Sequence, residues 1–112
     1  MTLLEVTTEI DGTTAQLALE GELDIASAPQ VERELERLEA AEPMTLVLDL
    51  RRLAFMDSTG LRLIVAADAR AREQGRRLVI VRGPEPVQRI LHMTRLDERL
   101  EIVEDPTAVQ DA

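Results

Sequence analysis

"LVLDLRRLAFMDSTGLRLIVAADARAREQGRRLVIV", residues 46–81, passes from one aliphatic stretch through a periodic segment into a second aliphatic stretch. Residues 45–50, TLVLDL, alternate large aliphatics as a strand does. Residues 77–82, RLVIVR, are apolar at four consecutive positions, the pattern of a strand covered on both faces. Between them the periodicity predicts a helix opening near Ser58 and running to about Gln74, with Gly75 where a left-handed residue closes a helix. Strand, helix, strand in that order is a crossover unit of a parallel sheet.

Working outward, residues 3–10 (LLEVTTEI) and 14–21 (TAQLALEG) read as strands joined by an Asp11-Gly12 turn. A helix follows: Ser27 with Gln30 three residues later reads as a capping box, and Val31, Leu35 and Leu38 share one face. Pro43 closes that segment. Downstream, Gly83-Pro84 breaks the chain before a short helix, 85–93, with Val87, Ile90 and Leu91 facing inward. Residues 100–105 form a last strand, and 106–112 a short terminal helix at most. The expected fold is α/β: a mixed sheet, with an N-terminal antiparallel hairpin followed by β-α-β crossovers, and helices packed on it. Residues 1–112 are expected to form a single domain, with no internal repeat or linker.

Composition narrows the chemistry. Hydrophobic residues make up 45% of the chain and charged residues 31%, a globular balance. No stretch reaches the roughly 18 apolar residues of a spanning helix, and residues 1–10 lack signal-peptide character, so a cytoplasmic location and no membrane partner are expected. The chain has no cysteine, no tryptophan or tyrosine, and one aromatic residue, Phe55. Thiolate metal sites, cysteine nucleophiles and base-stacking platforms are therefore absent. With His92 the sole histidine, neither a zinc site nor a Ser-His hydrolase is supported; His92 reads as a packing or surface residue. The net charge of −9 argues against direct nucleic-acid binding. Residues 1–50 carry twelve acids against two arginines and 51–100 eleven arginines against six acids, a dipolar distribution suited to a charged protein partner. All thirteen basic residues are arginine, so no P-loop, Schiff-base or kinase lysine exists.

Asp57 is a strong helix N-cap, its carboxylate placed to accept from the amides of Thr59 or Gly60. A helix start needs one cap, which leaves the Ser58 hydroxyl at the first helical position with no structural task. Gly60 costs about 1 kcal/mol against alanine inside a helix. Its absent side chain makes room either for close packing on the sheet or for a partner's backbone. Gly60, Ile64, Ala67 and Ala71 line the inner face with Leu63 beside them; Leu61 and Val65 sit on the flank, as a wider core stripe or as a docking surface. Asp49 reads as structural.

These residues resemble the STAS domain of bacterial anti-sigma factor antagonists. The resemblance rests on Asp57-Ser58-Thr59-Gly60 after an aliphatic strand, with Gly21-Glu22-Leu23-Asp24 at the expected place, and extends through 90–105. It implies a partner-switching protein that is not an enzyme and carries no cofactor. In that family the serine at Ser58's position is phosphorylated by a cognate anti-sigma factor that is also an ATP-dependent serine kinase. The unmodified form binds that factor and frees the sigma factor, and a PP2C-type phosphatase resets the cycle. Asp24, Asp57, Ser58, Thr59, Gly60 and Leu61 are then expected at the partner surface, with Thr59 as a supporting hydroxyl. The alternative is a non-phosphorylated STAS scaffold or nucleotide-sensing module. A receiver domain is disfavoured, because this chain lacks both its acidic pair after the first strand and its lysine.

Overall fold

A computed structural model describes residues 3–109. Five strands lie in the order β1 (Leu4–Asp11), β2 (Thr14–Leu23), β3 (Thr45–Met56), β4 (Arg77–Val81) and β5 (Glu101–Val103). β1 and β2 are antiparallel; every later neighbour is parallel. Each parallel connection carries a helix: α1 (Ala28–Ala40), α2 (Ser58–Glu73) and α3 (Glu85–Met93). The mixed sheet expected from the sequence is therefore present.

Period-two alternation sorts the strands into two faces. Leu46, Leu48 and Leu50 of β3, with Leu78 and Ile80 of β4, join the inner stripes of all three helices in one core: Val31, Leu35 and Leu38 of α1, Leu63, Ile64 and Ala67 of α2, Val87 and Leu91 of α3. The helices thus share one face of the sheet. On the other face Val47, Val79 and Val81 form a smaller cluster closed by Val103 and Val109. β4 is buried on both sides, as its unbroken aliphatic run requires. Gly75, at φ +68°, turns the chain out of α2 in the expected left-handed conformation.

Three expectations change. β2 and β3 continue past residues 21 and 50, to Leu23 and Met56. β3 gains length through two register shifts against β2, between Ala18 and Glu20 and between Gly21 and Glu22, where β3 carries the extra residue. Second, Ser27 and Gln30 form no capping box: Ser27 stands at the N-cap but its hydroxyl makes no cap hydrogen bond. It turns back to donate to the Glu22 carbonyl at 2.9 Å and accept from the Asp24 amide at 3.0 Å. Third, the last strand shrinks to three residues, and Pro106–Val109 is a 3-10 turn whose predicted helical continuation, 110–112, lies outside the described residues. No described helix is long and apolar enough to cross a membrane.

Candidate functional site

β3 stops pairing with β4 at Asp49 but runs on beside β2 to Met56. The two strands end together, Leu23 opposite Met56, and the Asp57 amide donates to the Leu23 carbonyl at 3.3 Å. This tie places the loop after β2, with Asp24, beside the start of α2, at the carboxyl ends of the parallel strands. Such strand ends are where α/β sheets meet their ligands and partners.

The start of α2 is built as its residue types dictate. Asp57 has extended backbone and its Oδ1 accepts from Thr59 N at 2.9 Å and Gly60 N at 3.3 Å. One side chain thereby satisfies two of the helix's free amides and sets a negative charge at the positive helix end. Ser58 is exposed, and its hydroxyl makes no hydrogen bond with the described residues. Thr59 is half-buried, and Leu61 packs its partly buried side chain against the core. Gly60 is buried, and the packing reading of it holds. A Cβ there would lie 2.7 Å from Met56 Cγ and 2.8 Å from two carbons of Leu23. The glycine lets α2 settle onto the ends of β2 and β3, and so shapes the surface above it from below.

Asp24 is close to this helix start but is spent on its own loop. Its Oδ1 accepts from Ala26 N at 3.0 Å and Ser27 N at 3.1 Å. The tight loop that results presents Ile25, 77% exposed, at its tip. Phe55, 47% exposed, stands on β3 two residues before Asp57, and Val65 is 39% exposed two turns along α2. Ile25 and Phe55 carry no periodic signal. The one clue was that Phe55 is the chain's only aromatic residue.

Between α1 and α2 runs an open groove lined by Glu32 and Glu36 on one wall and Thr59, Arg62 and Arg70 on the other. Arg70 is tied to Glu39 by a two-pronged ion pair at 3.0 Å. Arg62 pairs with neither glutamate. His92 is on the surface, its Nδ1 2.8 Å from Asp97. Asp49 is buried on the sheet face away from the helices, gripped by Arg51 at 2.8 Å. Burial pushes the Asp49 pKa up, but hydrogen bonds from the Arg51 side chain and amide and the charges of Arg51 and Arg52 outweigh it, holding the carboxyl below its ordinary range.

A parallel sheet entered by an antiparallel hairpin, with an aspartate-capped helix presenting an unspent serine beside the first crossover loop, defines a small α/β domain of mixed sheet with its helices on one face. The chain belongs to the STAS domain family: the family described as "Mlab, STAS domain" matches residues 6–104. It is 34% identical to the anti-sigma-B factor antagonist of Listeria monocytogenes over 82 residues, covering 73% of this chain and 72% of that one. It is 30% identical to the anti-sigma-F factor antagonist RsfB of Mycobacterium tuberculosis over 84 residues, covering 75% and 68%. The crystal structure of an anti-sigma factor antagonist from Mycobacterium paratuberculosis superposes with a TM-score of 0.82 at 26% identity, covering 96% of this chain and 95% of that one.

Proposed function

We propose that this protein is an anti-sigma factor antagonist whose unmodified form binds a cognate anti-sigma factor, releasing the sigma factor, and whose binding is switched off by phosphorylation of Ser58. The observation that carries the switch is the exposed, unspent Ser58 hydroxyl on a helix already capped by its neighbour. The relatives' shared role as anti-sigma factor antagonists supports the partner. The anti-sigma factor is itself the serine kinase. Ser58 Oγ attacks the γ-phosphorus of ATP held by that partner. The Oγ–P bond forms as the bond to the departing ADP breaks, and the hydroxyl proton passes to a base on the kinase. A PP2C-type phosphatase restores the hydroxyl by hydrolysis. The protein is a regulatory substrate in the cytoplasm, with no catalytic role and no cofactor.

Ile25, Phe55, Leu61 and Val65 supply the apolar contact around the switch, with Asp24, Asp57 and Thr59 as its polar members and Gly60 beneath them. A phosphate in that interface stands next to the Asp57 carboxylate and loses its water. The phosphate is a dianion, and the part of its charge that is buried with no pairing group from the partner costs about 3–5 kcal/mol, which weakens binding by roughly two to four orders of magnitude.

Intact-mass spectrometry after incubation with ATP and candidate anti-sigma kinases tests the proposal. A single shift of about +80 Da, absent from Ser58→Ala, with the variant still bound by the same kinase, is the expected result. Tight binding with no mass change would replace the switch with a non-phosphorylated STAS scaffold.

A further inference from the structure

We infer that Arg62 is the internal counter-charge of phosphorylated Ser58, folding over the first turn of α2 to grip the phosphate. The inference rests on Ser58 being the modified residue. It begins from what the helix start has left to offer. A phosphate at a helix N-terminus is ordinarily held by free backbone amides. Here Thr59 N and Gly60 N already donate to the Asp57 carboxylate, and Leu61 N donates to the Asp57 carbonyl at 3.1 Å. Only the Ser58 amide remains in the first turn, and the Asp57 carboxylate beside it repels a second anion. A phosphate on Ser58 therefore needs a side-chain cation.

Arg62 is that cation by position, by direction and by availability. It lies four residues after Ser58, the spacing at which helical side chains meet, with the anion on the N-terminal side, the more favourable order. Helical side chains lean back over the preceding turn, which carries the Arg62 guanidinium toward Ser58 and Thr59. Arg62 and Thr59 do line the same stretch of groove. Its planar fork suits two phosphate oxygens at once. Eight other arginines are held by carboxylates, among them Arg70 by Glu39 and Arg72 by Asp68, whereas Arg62 makes no ion pair with the described residues. Glu32 and Glu36 face it across the groove without closing on it. A dianion one turn away, on the same helix, outcompetes two single charges on another.

Moving Arg62 onto the phosphate withdraws the positive charge from the near end of the groove, leaving Glu32 and Glu36 uncovered there. Modification of one hydroxyl thus changes the charge of the whole α1–α2 surface as well as that of Ser58.

The test uses the full chain with phosphoserine installed at position 58 by genetic encoding, so its outcome is independent of whether any kinase modifies Ser58. Phosphorus NMR follows the second ionisation of the phosphate, ordinarily near about 6, in the native background and in Arg62→Gln. Asp24 on the neighbouring loop, Asp57, Glu32, Glu36 and Arg70 are the other charged groups near this surface, and all are retained in both proteins. With Arg62 present the midpoint is expected about half a unit lower than in Arg62→Gln, and Arg62→Lys should recover only part of the difference. The Ser58 forms of native protein and Arg62→Gln should melt together, because Arg62 is exposed. Equal phosphate midpoints in the native and Arg62→Gln proteins would overturn the inference.

Discussion

Two aspartates stand side by side where β2 and β3 end, and each opens a turn into a helix in the same way. Asp24 Oδ1 accepts from the amides two and three residues on, Ala26 and Ser27; Asp57 Oδ1 accepts from Thr59 and Gly60. Each turn also holds a serine, and there the likeness stops. Ser27 is buried and its hydroxyl both accepts from the Asp24 amide and donates to the Glu22 carbonyl. Ser58 is exposed and its hydroxyl bonds to nothing described. The difference comes from where the helix begins. At Asp57 the helix starts on the next residue, so the carboxylate completes the cap alone. At Asp24 three residues intervene before α1, and they bring Ser27 back over the end of β2, where the Glu22 carbonyl and the Asp24 amide engage its hydroxyl. A free hydroxyl at a strand end is thus the product of an immediate cap.

The largest effect expected bears on the seat that both turns share. Gly60→Leu forces a side chain into space held by Met56 and Leu23, the last residues of β3 and β2. Chemical denaturation should register a loss of about 3 kcal/mol, the upper range for overpacking a close-packed core. A loss below about 1 kcal/mol would mean that α2 can lift off the strand ends without penalty, and that the glycine is kept for a partner.

Next in size is the pair of serines themselves. Ser27→Ala leaves the Glu22 carbonyl and the Asp24 amide without a partner in a mostly buried loop, at a cost of about 1–3 kcal/mol. Ser58→Ala removes nothing that the fold uses and should stay within about 0.5 kcal/mol of the parent. Equal losses in the two melting curves would break the distinction between the spent hydroxyl and the free one.

How far these features could be seen in the sequence follows from the range of the interactions that make them. The Asp57 cap spans three residues and is legible, as are the inner stripe of α2, the left-handed Gly75 and the doubly buried β4. Ser27 misled because Ser-x-x-Gln satisfies the capping-box pattern, while the carbonyl that captures the hydroxyl belongs to the end of β2. The second half of β3 was hidden by Arg51-Arg52 and by two register shifts, which destroy the period-two alternation. Gly60 stood between two readings because its neighbour Leu23 is far along the chain, and the exposure of Ile25 depends on a loop whose shape Asp24 sets after folding.

A third aspartate sharpens the comparison, because its partner is charged. Asp24 and Asp57 accept from neutral amides, whereas Asp49, on the strand that leads into Asp57, is bound by the Arg51 guanidinium as well as the Arg51 amide. Its carboxyl is held below the ordinary aspartate range. A carboxylate with a depressed folded pKa binds fewer protons in the folded state than in the unfolded one. Its contribution is therefore complete above the unfolded value, about 4, and disappears as the pH falls through the folded value. Asp49→Asn should cost about 1 kcal/mol at neutral pH, modest because Arg51 is half in solvent. Below about pH 4 the denaturation midpoints of the native protein and of Asp49→Asn should converge, the remaining acids being common to both. Parallel curves down to about pH 2 would assign the cost to the hydrogen-bond acceptor lost when one carboxylate oxygen becomes an amide nitrogen, and would leave the charge of the Asp49–Arg51 pair with no energetic part in holding β3.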